Sequence, residues 1–257
     1  MEGKGITTHE KGVCHPHGTP TYSKTMIDKN KVRAVLFDMD GVLFDSMPNH
    51  VKAWRGAVAE HGLSMTREEV YMNEGRTGAG TIHTLAQRCW GRNATEEEIE
   101  AIYQTKCALF NTCPEALPMP GASEVLRKVL DRGLLPVLVT GSGQRSLLDR
   151  LNQAYPHVFR PELMVTAFDV RQGKPYPEPY LKGLAKAGAL LHKDGSPLLP
   201  EEAVVVENAP LGIQAGKAAG IYTIAVNTGP LADQVLTDAG ADRVYPSMQT
   251  LAENLPL

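Results

Sequence analysis

The stretch Val32-Arg33-Ala34-Val35-Leu36-Phe37-Asp38-Met39-Asp40-Gly41 decides how this chain is read. Its first six residues form a nearly continuous apolar run, which predicts a strand buried on both faces. Two aspartates, separated by one residue, follow directly where that strand ends. Acids in that position are not core material. In parallel α/β sheets the active site lies at the carboxyl ends of the strands. The run therefore predicts both a fold and the place to look for chemistry.

Working outward, similar apolar runs begin at Leu135, Leu163, Ala203 and Tyr222, with helical patterns between them over 121–132 and 146–155. Strands alternating with helices predict an α/β protein with a Rossmann-like parallel sheet core. Residues 46–117 break the alternation, because their pattern is helical only, with helices expected over 49–61, 66–71, 81–89 and 95–110. Thr95 followed by Glu96-Glu97-Glu98 is a helix start, with Thr95 as N-cap and acids in the first turn. The expected organisation is a core of 31–45 and 118–257, an inserted α-helical cap domain of 46–117, and a disordered polar tail of 1–30. Within that tail Cys14-His15-Pro16-His17 is spaced too tightly for a metal site, and Met26 offers an alternative start.

The whole chain limits the partners. It has 257 residues, 42% hydrophobic and 21% charged, with a formal net charge of -3. Nothing global points to nucleic acid or an anionic membrane. Cys14, Cys89, Cys107 and Cys113 include no CxxC pair and read as reduced thiols of a cytoplasmic protein. No apolar run approaches the ~18 residues of a membrane span, and the basic-then-apolar layout of a signal peptide is absent.

The other strand ends carry their own polar groups. They are Thr140-Gly141-Ser142-Gly143, then Gly173-Lys174-Pro175, then Glu207-Asn208-Ala209-Pro210. Each is weak alone, since Gly/Ser turns and exposed lysines are common. In order, at successive strand ends, they supply what phosphoryl transfer needs: a nucleophile, a metal and donors for spreading negative charge. Asp38 attacks phosphorus. Mg²⁺ takes oxygens from Asp38, the backbone carbonyl of Asp40, Asn208 and Glu207. Asp40 protonates the leaving oxygen and then deprotonates the water. Thr140 and Lys174 bind phosphoryl oxygens, assisted by Gly141 and Ser142.

This arrangement resembles the haloacid dehalogenase superfamily, over residues 32–257. The run Phe37-Asp38-Met39-Asp40-Gly41-Val42-Leu43-Phe44-Asp45-Ser46 is similar to the β-phosphoglucomutase-like clade, whose members carry a small helical cap. The resemblance implies the same roles for Asp38, Asp40, Thr140, Lys174, Glu207 and Asn208. It also implies cap closure through the segments 42–46 and 117–121, and a monomer. Two departures matter. The clade usually has Glu-Asp where this chain has Glu207-Asn208, and a Gly-x-Ser-Arg cap loop where this chain has Asn73-Glu74-Gly75-Arg76-Thr77-Gly78. One acid leaves the core site and one joins the cap loop, so Glu74 is expected to swing in and bind the metal. Arg76 is expected to pair with a phosphate. His50 matches a clade histidine near the acid/base, and Trp54 is expected in the cap core.

The run from Tyr71 to Gly78, together with Glu207-Asn208-Ala209-Pro210-Leu211-Gly212, is similar to bacterial inorganic pyrophosphatases of this superfamily. It implies pyrophosphate as the small phosphorylated substrate. A β-phosphoglucomutase or small sugar-phosphate phosphatase is the second reading. A catalytically idle binding protein is disfavoured by the presence of both Asp38 and Asp40, and a haloacid dehalogenase by Asp40.

Overall fold

The computed structural model describes residues 27–257 apart from Gln144. The tail motif Cys14-His15-Pro16-His17 and Met26 lie outside the described residues. Six parallel strands form one sheet: β1 Ala34–Phe37, β2 Leu135–Val139, β3 Met164–Val165, β4 Ala203–Glu207, β5 Tyr222–Val226 and β6 Arg243–Tyr245. Their order is β3-β2-β1-β4-β5-β6. The strands on one side of β1 precede those on the other in the chain, which makes the β1–β4 junction a topological switch point, where such sheets open a crevice.

β1 is apolar on both faces because both are covered. Val35 and Phe37 pack into one cluster with Val125, Val129 and Leu251. Ala34 and Leu36 pack into the opposite cluster with Tyr180, Leu184 and Ala215. The covering helices are α5 Ala122–Asp131, α6 Arg145–Ala154 and α10 Met248–Glu253 on the first face, and α7 Glu178–Leu191 and α8 Pro210–Ala218 on the second. A short helix, α9 Asp233–Asp238, follows β5. The edge strand β6 escaped the sequence reading because Arg243-Val244-Tyr245 is too short and too exposed to give a hydrophobic pattern.

Between β1 and α5 lie only helices: α1 Met47–Glu60, α2 Arg67–Met72, α3 Gly78–Trp90 and α4 Glu96–Asn111. They enclose a hydrophobic cluster of their own, including Val58, Leu63, Ile82, Leu85 and Ile102. The Thr95 cap forms as expected, with Thr95 Oγ1 accepting from Glu98 N–H and Glu98 accepting in return from Thr95 N–H at 2.8 Å. The chain segments entering and leaving this helical insert are tied together. Asp45 N–H donates to Leu117 O at 3.0 Å, and Met119 N–H donates to Leu43 O at 2.8 Å.

Candidate active site

The register of the sheet brings the strand ends level. Phe37 pairs with Leu138 on one side and Val206 on the other, so Asp38, Val139 and Glu207 stand side by side one residue later. Lys174 closes over these three ends. Its Nζ donates to Asp38 Oδ1 at 2.5 Å, to Glu207 Oε1 at 2.5 Å and to Val139 O at 3.2 Å. All three ammonium hydrogens thus have acceptors, on β1, β4 and β2. Lys174 is 2% exposed and Glu207 1%. Two carboxylates more than offset the cost of burying the ammonium and hold Lys174 above its ordinary pKa. Burial first, then the Glu207 and Asp40 carboxylates, push Asp38 up to about 7 against the pull of Lys174.

Glu207 is held by more than Lys174. Its Oε1 also accepts from the Tyr180 hydroxyl at 2.6 Å, and its Oε2 accepts from the backbone N–H groups of Asn208 and Ala209 at 3.1 and 3.4 Å. Gly212 lies so close that a Cβ there would overlap the carboxylate. Both Glu207 oxygens therefore accept hydrogen bonds from the protein. Glu207 in turn anchors Lys174. Tyr180, fully buried on α7, was invisible to the sequence reading, since an apolar-periodic helix position gives no sign of a polar partner.

Asp40 is held separately. Ser46 Oγ donates to its Oδ1 at 2.6 Å, and His50 Nε2 lies 3.2 Å from the same oxygen. Ser46 is the N-cap of α1 but gives its hydroxyl to Asp40 instead of to the helix. Burial alone would raise Asp40, but His50 and the two hydrogen bonds keep it below its ordinary value. His50 itself is lowered by burial and by the Lys106 ammonium. The Asp40 carboxylate pulls His50 the other way, so the two side chains hold each other in place while Ser46 adds its hydrogen bond to Asp40. Lys106, on α4, was not singled out from the sequence. Its buried ammonium sits 4.9 Å from the Phe110 ring centroid and 5.7 Å from that of Trp54. Trp54 thus packs with the insert, as expected, and also faces the cavity.

Above Asp38 and Asp40 lies a cavity whose walls include His50, Glu74, Arg76, Lys106, Gly141 and Ser142. Thr140 is buried beneath it, and its Oγ1 accepts from Ser142 N–H at 3.0 Å. The α2–α3 loop is pressed onto the sheet side. A Cβ on Gly141 would meet Gly75 O at 2.8 Å, and one on Gly75 would meet the Lys174 side chain at 2.7 Å. Glu74 is carried in by that loop, and its Oε2 accepts from Asn208 Nδ2 at 3.1 Å. Arg76 Nε donates to Asn73 Oδ1 at 3.2 Å, leaving its guanidinium on the cavity wall.

The oxygens at this corner bear on a metal. Glu74 Oε1 and Asn208 Oδ1 are buried and have no hydrogen-bond partner. Burial, followed by the Asp38, Asp40 and Glu207 carboxylates, raises Glu74 well above its ordinary value. An excess of negative charge with orphaned oxygens fits a hard divalent cation, which takes carboxylate, amide and backbone oxygens. Among the described residues no three His, Cys, Asp or Glu side chains make a ready ligand group. That is consistent with a donor set that includes an amide, and with Lys174 drawing Asp38 and Glu207 to itself. Cys89, Cys107 and Cys113 form no disulfide, and no helix among the described residues is long and apolar enough to cross a membrane.

Comparison with known proteins agrees with this geometry. Residues 32–220 match the model of the haloacid dehalogenase-like hydrolases. Hexitol phosphatase A of Escherichia coli is 31% identical over 198 residues, covering 77% of this chain and 84% of that protein. Glycerol-1-phosphate phosphohydrolase 2 of Saccharomyces cerevisiae is 31% identical over 203 residues, covering 77% of this chain and 76% of that protein. A solved structure from Bacteroides vulgatus, provisionally assigned as a β-phosphoglucomutase, is 56% identical with a TM-score of 0.82, covering 90% of this chain and 88% of the other. With Asp38, Lys174, Glu207 and Asn208 gathered at the switch point of a six-stranded parallel sheet, this chain belongs to the haloacid dehalogenase-like hydrolases, with β-phosphoglucomutase-like structural neighbours.

Proposed function

We propose that this chain is a Mg²⁺-dependent phosphohydrolase of small phosphorylated molecules, with Asp38 as nucleophile and Asp40 as acid/base. The observation that carries this reading is the Lys174 bridge between Asp38 and Glu207, beside an Asp40 that is held apart by His50 and Ser46. Two carboxylates in different environments are what a two-step hydrolysis requires. In the first step an Asp38 oxygen attacks phosphorus, and the phosphorus–leaving-group bond breaks. The arriving phosphoryl dianion raises the proton affinity of Asp40, which is ionised beforehand; Asp40 takes up one proton from solvent and passes it to the departing oxygen. In the second step Asp40 takes a proton from water, the water oxygen attacks the aspartyl phosphate, and phosphate leaves with Asp38 restored. Lys174, Thr140 and the Gly141–Ser142 turn receive the phosphoryl oxygens.

Asp38, the Asp40 carbonyl, Asn208 and Glu74 would hold Mg²⁺, which when bound neutralises the charge of the phosphoryl group. Helices α1–α4, with the paired segments beside them, act as a cap that keeps bulk water out during aspartyl-phosphate formation.

Phosphorylated carbohydrates and polyols stand first as the substrate class. The named relatives include a hexitol phosphatase, a glycerol-1-phosphate phosphohydrolase and a phosphorylated carbohydrates phosphatase of Thermotoga maritima. The apolar walls at Met47, Trp54, Met65 and Val70 suit a carbon-bearing leaving group. Pyrophosphate, expected first from the sequence, becomes the second reading. It keeps one specific observation in its favour: Glu74 inside the site takes room, which disfavours a large substrate.

The test is phosphate release from hexose phosphates, glycerol phosphate, phosphoglycolate and pyrophosphate, with and without Mg²⁺. Metal-dependent release that is fastest from the hexose or glycerol phosphates is expected. Fastest release from pyrophosphate would exchange the two substrate readings, and no release from any would overturn the phosphohydrolase. Glu74→Ala is expected to weaken the apparent Mg²⁺ affinity, and an unchanged Mg²⁺ titration would remove Glu74 from the metal corner.

A further inference from the structure

The helical insert does not complete its own core. Leu231, from the loop between β5 and α9, packs against the insert's hydrophobic cluster. Two residues earlier, Gly229 lies flat against the Tyr71 ring of α2, so that a Cβ on Gly229 would meet two ring carbons at 2.7 Å. Tyr71 is 4% exposed. Gly229 is outside the left-handed region, so its backbone accepts alanine and only the Tyr71 ring excludes a side chain.

The same loop is fixed to the chemical end of the sheet. Thr228 Oγ1 donates to Gly41 O at 2.6 Å, within the Asp38–Gly41 turn. Gly41 in turn lies against the Asn208 amide, where a Cβ would collide. Asn227 Nδ2 braces the loop by donating to Leu231 O at 2.8 Å and Asp233 Oδ1 at 2.6 Å. On the other side, Tyr71 and Glu74 belong to one hydrogen-bonded turn, with Glu74 N–H donating to Tyr71 O at 3.3 Å. A short, braced path therefore runs from Asn208 through Gly41, Thr228 and Gly229 to Tyr71, and Glu74 closes it on Asn208 at 3.1 Å.

We propose that Gly229 is the seat of Tyr71, and that this contact sets how far Glu74 reaches toward Asn208. Gly229 and Tyr71 are then positioning residues for the corner that the proposed function gives to Mg²⁺, and the inference rests on that reading. The lever is short. Carbon atoms rest at about 3.5–4.0 Å, so a methyl at position 229 would move the ring by about 1 Å. Carried through the turn, the same displacement would stretch the Glu74–Asn208 hydrogen bond beyond the ~3.2 Å limit of a good one. A misplacement of about 1 Å at a catalytic constellation can cost on the order of 100-fold in rate.

The experiment uses the full chain and titrates Mg²⁺ against phosphate release for Gly229→Ala, Glu74→Ala, the double variant, and Gly229→Ala combined with Tyr71→Leu. Gly229→Ala is expected to raise the Mg²⁺ concentration for half-maximal rate about tenfold or more. It should add nothing in the Glu74→Ala background, and Tyr71→Leu should restore part of the loss. A merely structural role would instead add to the Glu74→Ala effect. An unshifted Gly229→Ala titration beside a shifted Glu74→Ala titration would overturn the seat while leaving the Glu74 reading intact. If Glu74→Ala itself has no effect, the Mg²⁺ reading fails. The seat is then judged by a crystal structure of Gly229→Ala, where an unchanged Glu74–Asn208 distance overturns it and a lengthened one supports it. Should Gly229→Ala not fold, Tyr71→Phe against Tyr71→Ala replaces it. The first should titrate as wild type and the second should be shifted, and equal behaviour of the two would overturn the proposal.

Discussion

Replacing Lys174 with methionine removes one ammonium from between two buried carboxylates. Lys174→Met deletes the 2.5 Å contacts to Asp38 and Glu207 and the bond to Val139 O while keeping much of the side-chain volume. Breaking a buried ion pair by removing one partner typically costs about 3–5 kcal/mol, because the remaining charge is stranded. Against a domain stability of roughly 5–15 kcal/mol, the variant should fold but be visibly weakened. The loss should depend on pH. Folded Asp38 keeps its proton up to about 7, while the unfolded chain releases it near ~3.9. Across that window the folded state binds the extra proton, so this group's contribution to stability falls as pH rises. Without the ammonium the folded value moves higher still, so the destabilisation should be larger at pH 8 than at pH 5. Urea denaturation followed by circular dichroism at both pH values, without metal, measures it. A loss under about 1 kcal/mol at pH 8, or one that shrinks as pH rises, would refute the view that Lys174 neutralises a buried carboxylate pair. Phosphate release should be lost at both pH values.

Asp38→Asn and Asp40→Asn should each abolish turnover while leaving the far-ultraviolet spectrum unchanged; near-wild-type rates in either would remove that residue from the chemistry. Tyr180→Phe deletes a 2.6 Å hydrogen bond to buried Glu207 and should lower stability by about 1.5–3 kcal/mol. A thermal melt reads this as a fall of roughly 2–4 °C per kcal/mol. Gly212→Ala places a methyl where the Glu207 carboxylate lies. Glu207 must turn away from Lys174, so both stability and rate should fall, and a variant with wild-type melting and rate would show that the carboxylate has room to move.

Much of this was legible in local pattern. The apolar run before Asp38 predicted a strand covered on both faces, and β1 divides its side chains between two clusters. Thr95 with its acids predicted a capped helix, which α4 supplies. Those signals are legible because strand burial and helix capping are decided within a few residues. Glu74 is legible as an acid on a loop where the resembling clade has none, and the structure brings it to Asn208. The partners of Glu207 are not legible, because a sequence gives an acid's position but not which donors reach it. Tyr180 and Lys106 gave no signal, since each sits in a helical pattern indistinguishable from packing or a solvated face.

The sequence by itself therefore determined the residue types at the strand ends, the pair of aspartates that follows β1, and the helical insert after them. Only the tertiary structure decided that β1 lies between β2 and β4, and this placement puts Asp38, Val139 and Glu207 level under one lysine. The physical reason is range. Periodicity and capping act along the chain over a turn or two. The charge state of a buried carboxylate depends on which groups lie within hydrogen-bonding distance of it. Here those groups come from segments far apart in sequence, joined by strand order and by a loop that carries Glu74 across to Asn208.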